Sequence, residues 1–479
     1  MGNLEELARA LEYPWEKWTT FLHPAQRQLV DRNFQGPARV AGTAGTGKTI
    51  VALHRAVYLA KSNPEARVLL TTFTAALAGA LQSKLRRLIV NTPGLGERIE
   101  VHALDTVAGG LYRRNFGVPR AASDEAILEM IASAGPASNK KLTVPFLMSE
   151  WKSIVDPWQL RTWEAYRDAS RLGRKTRLSE NQRLEAWGIL AKVWTALDAQ
   201  GLVTLEGVYS RVAERLVASG TRPFSAVVVD ESQDLRVSQL RFLSVLASDA
   251  KNGLFFAGDL GQRIFQTPFS WKALGVDVRG RSTTLKVNYR TSHQIRTQAD
   301  RLLEAEVSDV DGNVEERKGA VSMFNGPAPL VFVAKDEKAE CAHVAKWLSE
   351  RTAEGMQPQE IALIVRSADQ IARASRAAEL SGMSAKLIDD QADTTSGSLS
   401  ICTMHLAKGL EFRAVAVMAC DDEVIPLQER IETVLDDADL DEVYATERHL
   451  LYVACTRARD QLLVTATKPA SEFLGDLGG

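Results

Sequence analysis

The sequence predicts an α/β protein of two units, each a parallel sheet flanked by helices, with a helical insertion in the first. Three observations lead there. From about residue 21 to 110, short apolar runs alternate with helical stretches. From 111 to 216 strand signals are sparse and helical ones dominate. From 217 the alternation resumes and continues to a last strand-like run at 461–465. Such alternation is the pattern of a parallel sheet whose crossover helices cover its faces.

Residues 38–41 read as a short apolar strand and 50–60 as a helix carrying Val51, Val57 and Leu59. A β-rich run at 67–73 is followed by a helix at 75–89 and a strand at 99–104. Fully apolar strands of the buried, parallel kind follow at 226–229 and 254–257. The second unit is expected to begin near Thr283, with strands at 330–334, 361–365, 399–404, 414–418 and 461–465 and a helix at 337–351. The expected division is therefore an N-terminal helical extension at 1–20, a first unit made of 21–110 and 217–282, an insertion at 111–216, and a second unit at 283–479. The polar, Ser/Thr-rich stretch 392–400 is expected to be an exposed connection. Within the insertion, Trp151 and Trp158 are seven residues apart, as are Trp187 and Trp194. Seven residues is nearly two helical turns, so each pair shares a face. Core packing is the expectation for these rings, and base stacking is the alternative.

Composition narrows the class. At roughly 100–200 residues per domain, a chain of 479 residues suggests two to four domains. Lys+Arg (58) nearly balances Asp+Glu (60), so any nucleic-acid site must be a local groove rather than a global basic field. Cys341, Cys402, Cys420 and Cys455 form no Cys-x-x-Cys pair, which argues against a zinc or redox site and for buried apolar packing. Residues 1–20 lack an apolar leader core, and no run of about 18 apolar residues occurs, so the reading is a cytoplasmic, soluble protein.

Gly42-Thr43-Ala44-Gly45-Thr46-Gly47-Lys48-Thr49 matches G-x-x-x-x-G-K-[ST], after a strand and at the start of a helix. The glycines let backbone N–H groups wrap phosphate oxygens, and the helix N-terminus adds partial positive charge. Lys48 is expected to meet the β- and γ-phosphates of ATP, and Thr49 to hold Mg²⁺. Such a loop needs a carboxylate at the tip of a neighbouring strand, and Val227-Val228-Val229-Asp230-Glu231-Ser232-Gln233-Asp234 supplies it. Asp230 is the expected metal residue and Glu231 the base that orients and deprotonates water.

At these residues the chain resembles the UvrD/Rep/PcrA family of superfamily 1 helicases, and the resemblance runs from about 22 to 467. Leu22-His23-Pro24-Ala25-Gln26-Arg27 resembles the family's Q motif, which implies that Gln26 reads adenine. Thr72-Phe73-Thr74 resembles motif Ia and Val101-His102 motif Ib, both implied to line a single-strand track. Phe256-Ala257-Gly258-Asp259-Leu260-Gly261-Gln262-Arg263-Ile264-Phe265 resembles motif III, with Gln262 sensing the γ-phosphate. Val287-Asn288-Tyr289-Arg290 resembles motif IV, with Tyr289 stacking on adenine and Arg290 acting as an arginine finger. Thr403-Met404-His405-Leu406-Ala407-Lys408-Gly409-Leu410-Glu411-Phe412 is similar to motif V. It implies Thr403 and His405 on the nucleic-acid backbone and Glu411 on the ribose. Leu451-Tyr452-Val453-Ala454-Cys455-Thr456-Arg457-Ala458 is similar to motif VI, with Arg457 the second finger. Together these imply two RecA-like P-loop NTPase units, with a 1B-type helical insertion in the first. The implied reaction is ATP hydrolysis with Mg²⁺, and the implied partners are single-stranded DNA and tailed duplex DNA, with movement 3′ to 5′.

The sequence departs from the family in places. Ile50 stands where an Arg near the base is usual, and the region after motif III reads Pro268-Phe269-Ser270-Trp271-Lys272. Trp271, with Phe269, is expected to stack on a base, with core burial as the competing role. Arg290 and Thr403 are separated by only 112 residues, about what the second unit itself requires, so the family's large 2B subdomain is expected to be absent. Arg167, Arg171, Arg174, Lys175 and Arg177 form a basic cluster that suits either a solvated helix end or a phosphate-contacting edge. The rival readings are a translocase that unwinds poorly, a non-catalytic binding module, and the motor part of a larger machine.

Overall fold

The computed structural model describes residues 22–135, 142–169, 178–247, 251–259, 269–304, 306–312, 314–316, 319–388, 397–432 and 437–478. The first sheet contains β1 (Ala38–Gly42), β2 (Val68–Thr72), β3 (Ile99–Ala103), β4 (Ala226–Val229), β5 (Leu254–Ala257) and β6 (Ser282–Leu285), in the order β3-β2-β4-β5-β1-β6. Every neighbouring pair is parallel. β1, β2, β4 and β5 are buried at every position, because helices cover both faces. The helices Lys48–Ser62 and Ala75–Leu88 pack on one face, and Leu104–Phe116, Leu205–Ser219 and Val237–Leu246 on the other.

After β7 (Val287–Asn288) come the helix His293–Ala299, an antiparallel hairpin of β8 (Glu306–Ser308) and β9 (Val314–Glu316), and β10 (Val321–Ser322), which pairs with β7. The second sheet contains β11 (Leu330–Ala334), β12 (Ile361–Val365), β13 (Ala385–Leu387), β14 (Leu399–Thr403), β15 (Phe412–Val417) and β16 (Ala458–Thr467). Its order is β11-β16-β15-β12-β14-β13, again all parallel. The described residues between Arg290 and Thr403 thus supply strands and helices of this sheet, one small hairpin, and β10 beside β7.

Two sequence boundaries move. The segment near Thr283 does not open the second unit: as β6 it lies along β1, with Val40 beside Thr283, and closes the first sheet. Its half-buried residues carry no mark of which sheet they join. The helices Leu104–Phe116 and Leu205–Ser219 cross the expected limits of the insertion and pack on the first sheet. The insertion's own core runs from Ile127 to Leu197. There Trp151, Trp187 and Trp194 are buried and Trp158 is half-buried against them. The Trp151 and Trp194 rings lie 4.5 Å apart, and Trp194 donates its indole N–H to the Leu160 carbonyl at 2.7 Å. These rings are core.

All four cysteines are free and buried, and burial pushes the Cys402 and Cys455 thiols up to about 12. Among the described residues no helix is long and apolar enough to cross a membrane. The expected helix at 1–20, the stretch 392–396, Gln262, and Arg171, Arg174, Lys175 and Arg177 of the basic cluster lie outside the described residues. Leu399 and Ser400, where the expected connection and the expected strand overlap, lie buried in β14. Arg167 is half-buried and pairs with Asp168.

Trp151→Ala is expected to cost about 3–5 kcal/mol, the usual range for an excised core aromatic. Denaturant unfolding reads this directly, and unchanged stability would return Trp151 to the surface.

Candidate nucleotide cleft and nucleic-acid track

β1 ends at Gly42, and the loop that follows feeds the helix Lys48–Ser62. Gly45 and Gly47 sit at φ 82° and 83°, the left-handed region that favours glycine. Space forbids a side chain there as well: a Cβ on Gly45 would strike the Asn288 amide, and one on Gly47 the Gln26 amide. The Lys48 ammonium donates to the carbonyls of Gly42 at 2.7 Å and Thr43 at 3.0 Å, with Asp259 at 3.8 Å. Thr46 donates its hydroxyl to the Thr43 carbonyl, whereas the Thr43 hydroxyl is buried without a hydrogen-bond partner among the described residues. Gln26 is buried beneath the loop, accepting from the His23 N–H and donating to the Thr46 carbonyl, each at 2.9 Å.

At the end of β4, the Asp230 N–H donates to the Thr71 carbonyl at 2.9 Å. Glu231 follows at φ 60°, a left-handed conformation uncommon outside glycine. This turn puts two successive carboxylates into one cleft. Burial, reinforced by the Glu231 charge, pushes the Asp230 carboxyl up, against a hydrogen bond from Thr49. Burial also opposes the charge on Glu231, but the Lys408 and Lys48 ammoniums outweigh it and hold the carboxyl below its usual range. Gln233 donates to the Glu231 carboxylate at 2.6 Å and accepts from the Asp259 N–H at 3.0 Å, so one amide joins the two acidic loops.

The second half closes the cleft. Arg290 pairs with Glu411 at 2.6 Å, and Lys84 of the helix Ala75–Leu88 approaches the same carboxylate at 3.8 Å. The Arg457 side chain is buried, with Nε donating to the Val453 carbonyl at 2.9 Å. Burial and then Arg290 lower its pKa to about 10, so it remains a cation at neutral pH. Ala44, Gly45, Gly47, Lys48, Thr49, Asp230 and Glu231 line one side of the cavity, and Arg290, Gly409, Glu411 and Arg457 the other. Tyr289 donates its N–H to the Gly45 carbonyl at 3.0 Å, and its ring lies 5.1 Å from the His23 ring.

Four further residues had no role in the sequence reading. Asn288 is fully buried, donates to the Ala44 carbonyl at 2.7 Å, and accepts from the N–H groups of Arg290 and Thr291 at 2.9 Å. Asp234 and Lys408 form a buried ion pair between the halves. Lys84 is the fourth. Asn288, Asp234 and Lys408 sit inside the quoted motifs and could have been questioned as buried polar groups, but Lys84 carries no local signal.

The residues expected to meet nucleic acid are spread over both halves. Thr72 ends β2, with its buried hydroxyl lacking a hydrogen-bond partner among the described residues, and Phe73 is half-buried beside it. His102 is exposed on β3. Thr403 ends β14, His405 lies in the turn that follows, and both are half-buried. Burial and then Arg366 lower the His405 pKa to about 4, so this ring is neutral at pH 7. Phe269 and Trp271 are half-buried against the first sheet's core, and Trp271 meets Phe256 edge-on at 4.8 Å.

A phosphate loop at the end of one parallel strand, paired carboxylates at the end of another, an arginine that follows β7 and a second that precedes β16 of the second sheet define a two-unit P-loop protein with a composite cleft. Residues 22–269 match the UvrD/REP helicase N-terminal domain and 378–469 the UvrD-like helicase C-terminal domain. The chain belongs to the UvrD/REP helicase family. It is similar to the ATP-dependent DNA helicase UvrD2 of Mycobacterium tuberculosis, 27% identical over 361 residues that cover 69% of this chain and 50% of that protein. It is also similar to the ATP-dependent DNA helicase PcrA of Staphylococcus aureus, 24% identical over 371 residues that cover 70% of this chain and 46% of that protein. The chain spans about half the length of the curated relatives it matches.

Removing one member of a buried ion pair strands the other's charge. Lys408→Ala is expected to lower stability by about 3–5 kcal/mol, and Asp234→Ala in the same chain to recover part of it. Additive losses in denaturant unfolding would show that the two groups do not interact.

Proposed function

We propose that this chain hydrolyses ATP to move along single-stranded DNA in the 3′-to-5′ direction and to separate duplex carrying a 3′ single-stranded tail. The observation that carries the reading is the composite cleft: Lys48, Thr49, Asp230 and Glu231 face Arg290 and Arg457 from the other half. Thr49 and Asp230 are hard oxygen donors bonded to each other, and a buried carboxylate beside Glu231 calls for a cation, which suits Mg²⁺. The Thr43 hydroxyl, buried without a hydrogen-bond partner among the described residues, and the cations of the cleft suit a triphosphate. The bound nucleotide supplies the phosphoanhydride to be cleaved, and the metal a divalent charge.

Glu231, held ionised by the Lys408 and Lys48 ammoniums, orients water and takes its proton. Lys48, Arg290 and Arg457 stabilise the charge that builds on the transferred group. Gln262 senses the γ-phosphate, Gln26 and Tyr289 hold the base, and Glu411 meets the ribose. Because Arg290 and Arg457 belong to the second half, engaging them draws the halves together and releasing them lets the halves part. A strand held by Thr72, Phe73, His102, Phe269 and Trp271 on one half and by Thr403 and His405 on the other advances with that cycle.

A second reading is a translocase, or the motor of a larger complex, with weak unwinding of its own. It is favoured by the stretch between Arg290 and Thr403, whose described residues form the second sheet, its helices and a small hairpin rather than a large accessory subdomain.

ATPase rates with single-stranded DNA, duplex DNA and RNA, beside strand displacement on tailed duplexes, test the proposal. Strong stimulation by single-stranded DNA and displacement from 3′ tails alone are expected. Displacement only from 5′ tails would overturn the polarity, and translocation without displacement would favour the second reading. Glu231→Gln is expected to keep nucleotide binding and lower kcat by about 10²-fold or more. Arg290→Ala and Arg457→Ala should each lower kcat by about 10³-fold. Near-normal turnover by any of the three would sink its assignment.

A further inference from the structure

The hairpin of β8 and β9 lies between a helix of the second half and β10, yet its tip reaches the first half. The Asp311 carboxylate accepts the Ser270 hydroxyl at 2.5 Å through one oxygen. Through the other it accepts the backbone N–H groups of Trp271 at 2.7 Å and Lys272 at 3.1 Å. Three donors on one carboxylate cap the short turn Lys272–Leu274 and hold the backbone of Trp271 itself. The tip is shaped for this: Asp309 accepts the Asp311 N–H at 3.0 Å through its side chain, and the Gly312 N–H at 3.2 Å through its carbonyl. A second contact runs beside the first. Arg39 of β1 pairs with Asp309 at 3.4 Å, and its guanidinium lies 6.0 Å from the Trp271 ring.

A turn that only packed its tryptophan against Phe256 would need no carboxylate from the other half. Hydrogen bonds between a charged acceptor and backbone N–H groups are short and directional, so they fix where the ring is presented. We propose that Asp311 is a positioning residue for nucleic-acid binding: from the second half it sets the turn that offers Trp271 to a base. This rests on the single-strand reading above and deepens it. The base-contacting turn of the first half is then tied to the hairpin at a point outside the nucleotide cleft.

The test measures oligo-dT binding and the oligo-dT concentration that half-saturates ATPase stimulation. It compares the unmodified chain with Asp311→Ala, Asp311→Asn, Trp271→Ala and the Asp311→Ala/Trp271→Ala pair. Asp311→Ala should raise the half-saturating concentration by about 5- to 150-fold, the span of one lost base–aromatic stack, with ATPase without DNA unchanged. Asp311→Asn keeps a carbonyl acceptor and should recover much of the loss. In the Trp271→Ala background, Asp311→Ala should add nothing further, an outcome that a merely structural role would not give. Should Asp311→Ala fold poorly, Ser270→Ala and Asp311→Asn carry the comparison, each expected to shift the half-saturating concentration less. Unshifted half-saturation in the folded Asp311 variants, or an additive loss in the pair, would overturn the proposal alone. Absence of oligo-dT binding by the unmodified chain would overturn the single-strand reading with it.

Discussion

The cleft depends on one amide. Asn288 holds the phosphate loop through the Ala44 carbonyl and, with its other end, the N–H groups of Arg290 and Thr291. A single buried side chain therefore sets the distance between the loop and the backbone of the arginine that faces it. Gly45 has to be glycine for the same reason, since any Cβ would occupy the place of that amide. Ala44 also packs into the second half's core, so the loop is wedged between two sheets. A buried amide with all these bonds made is well satisfied, and leaving any of them open would carry a desolvation cost.

Around that junction the charges are matched. Lys48, Lys84, Arg290, Lys408 and Arg457 face Asp230, Glu231, Asp234, Asp259 and Glu411. Buried charges persist only when paired, and here most pairs join one half to the other or one loop to the next. An entering triphosphate would compete with Glu411 for Arg290 and with the loop's own carbonyls for Lys48. Exchange of partners, rather than creation of new charge, is how nucleotide state would reach the contact between the halves. The Lys408–Asp234 pair lies aside from that exchange and links the turn after β14 to the acidic loop after β4.

The local pattern of the chain was readable wherever one physical rule dominated. β4 and β5 begin and end where their apolar runs do, because a strand buried on both faces tolerates nothing else. Core packing was the expectation for the insertion's tryptophans, and Trp187 and Trp194 do share one face of the helix Glu180–Gln200, whereas Trp158 lies in a turn beyond the helical stretch of Trp151. Where two rules competed, the reading was weaker. β6 has half-buried residues that suit either sheet, and only its pairing with β1 assigns it. The helices Leu104–Phe116 and Leu205–Ser219 have apolar faces that fit an insertion or a sheet equally well, and the first sheet claims them.

By itself, the sequence determined the phosphate loop, the paired carboxylates, the order of the motifs and the two-unit α/β plan, because each rests on residues close together in the chain. Tertiary structure alone decided the partners: Asn288 under Gly45, Lys408 against Asp234, Lys84 beside Glu411, and Asp311 beneath the turn of Trp271. These contacts join residues from 40 to more than 300 positions apart. Spacing says nothing at such separations, since which polar groups meet is settled only when the sheets and their helices have packed.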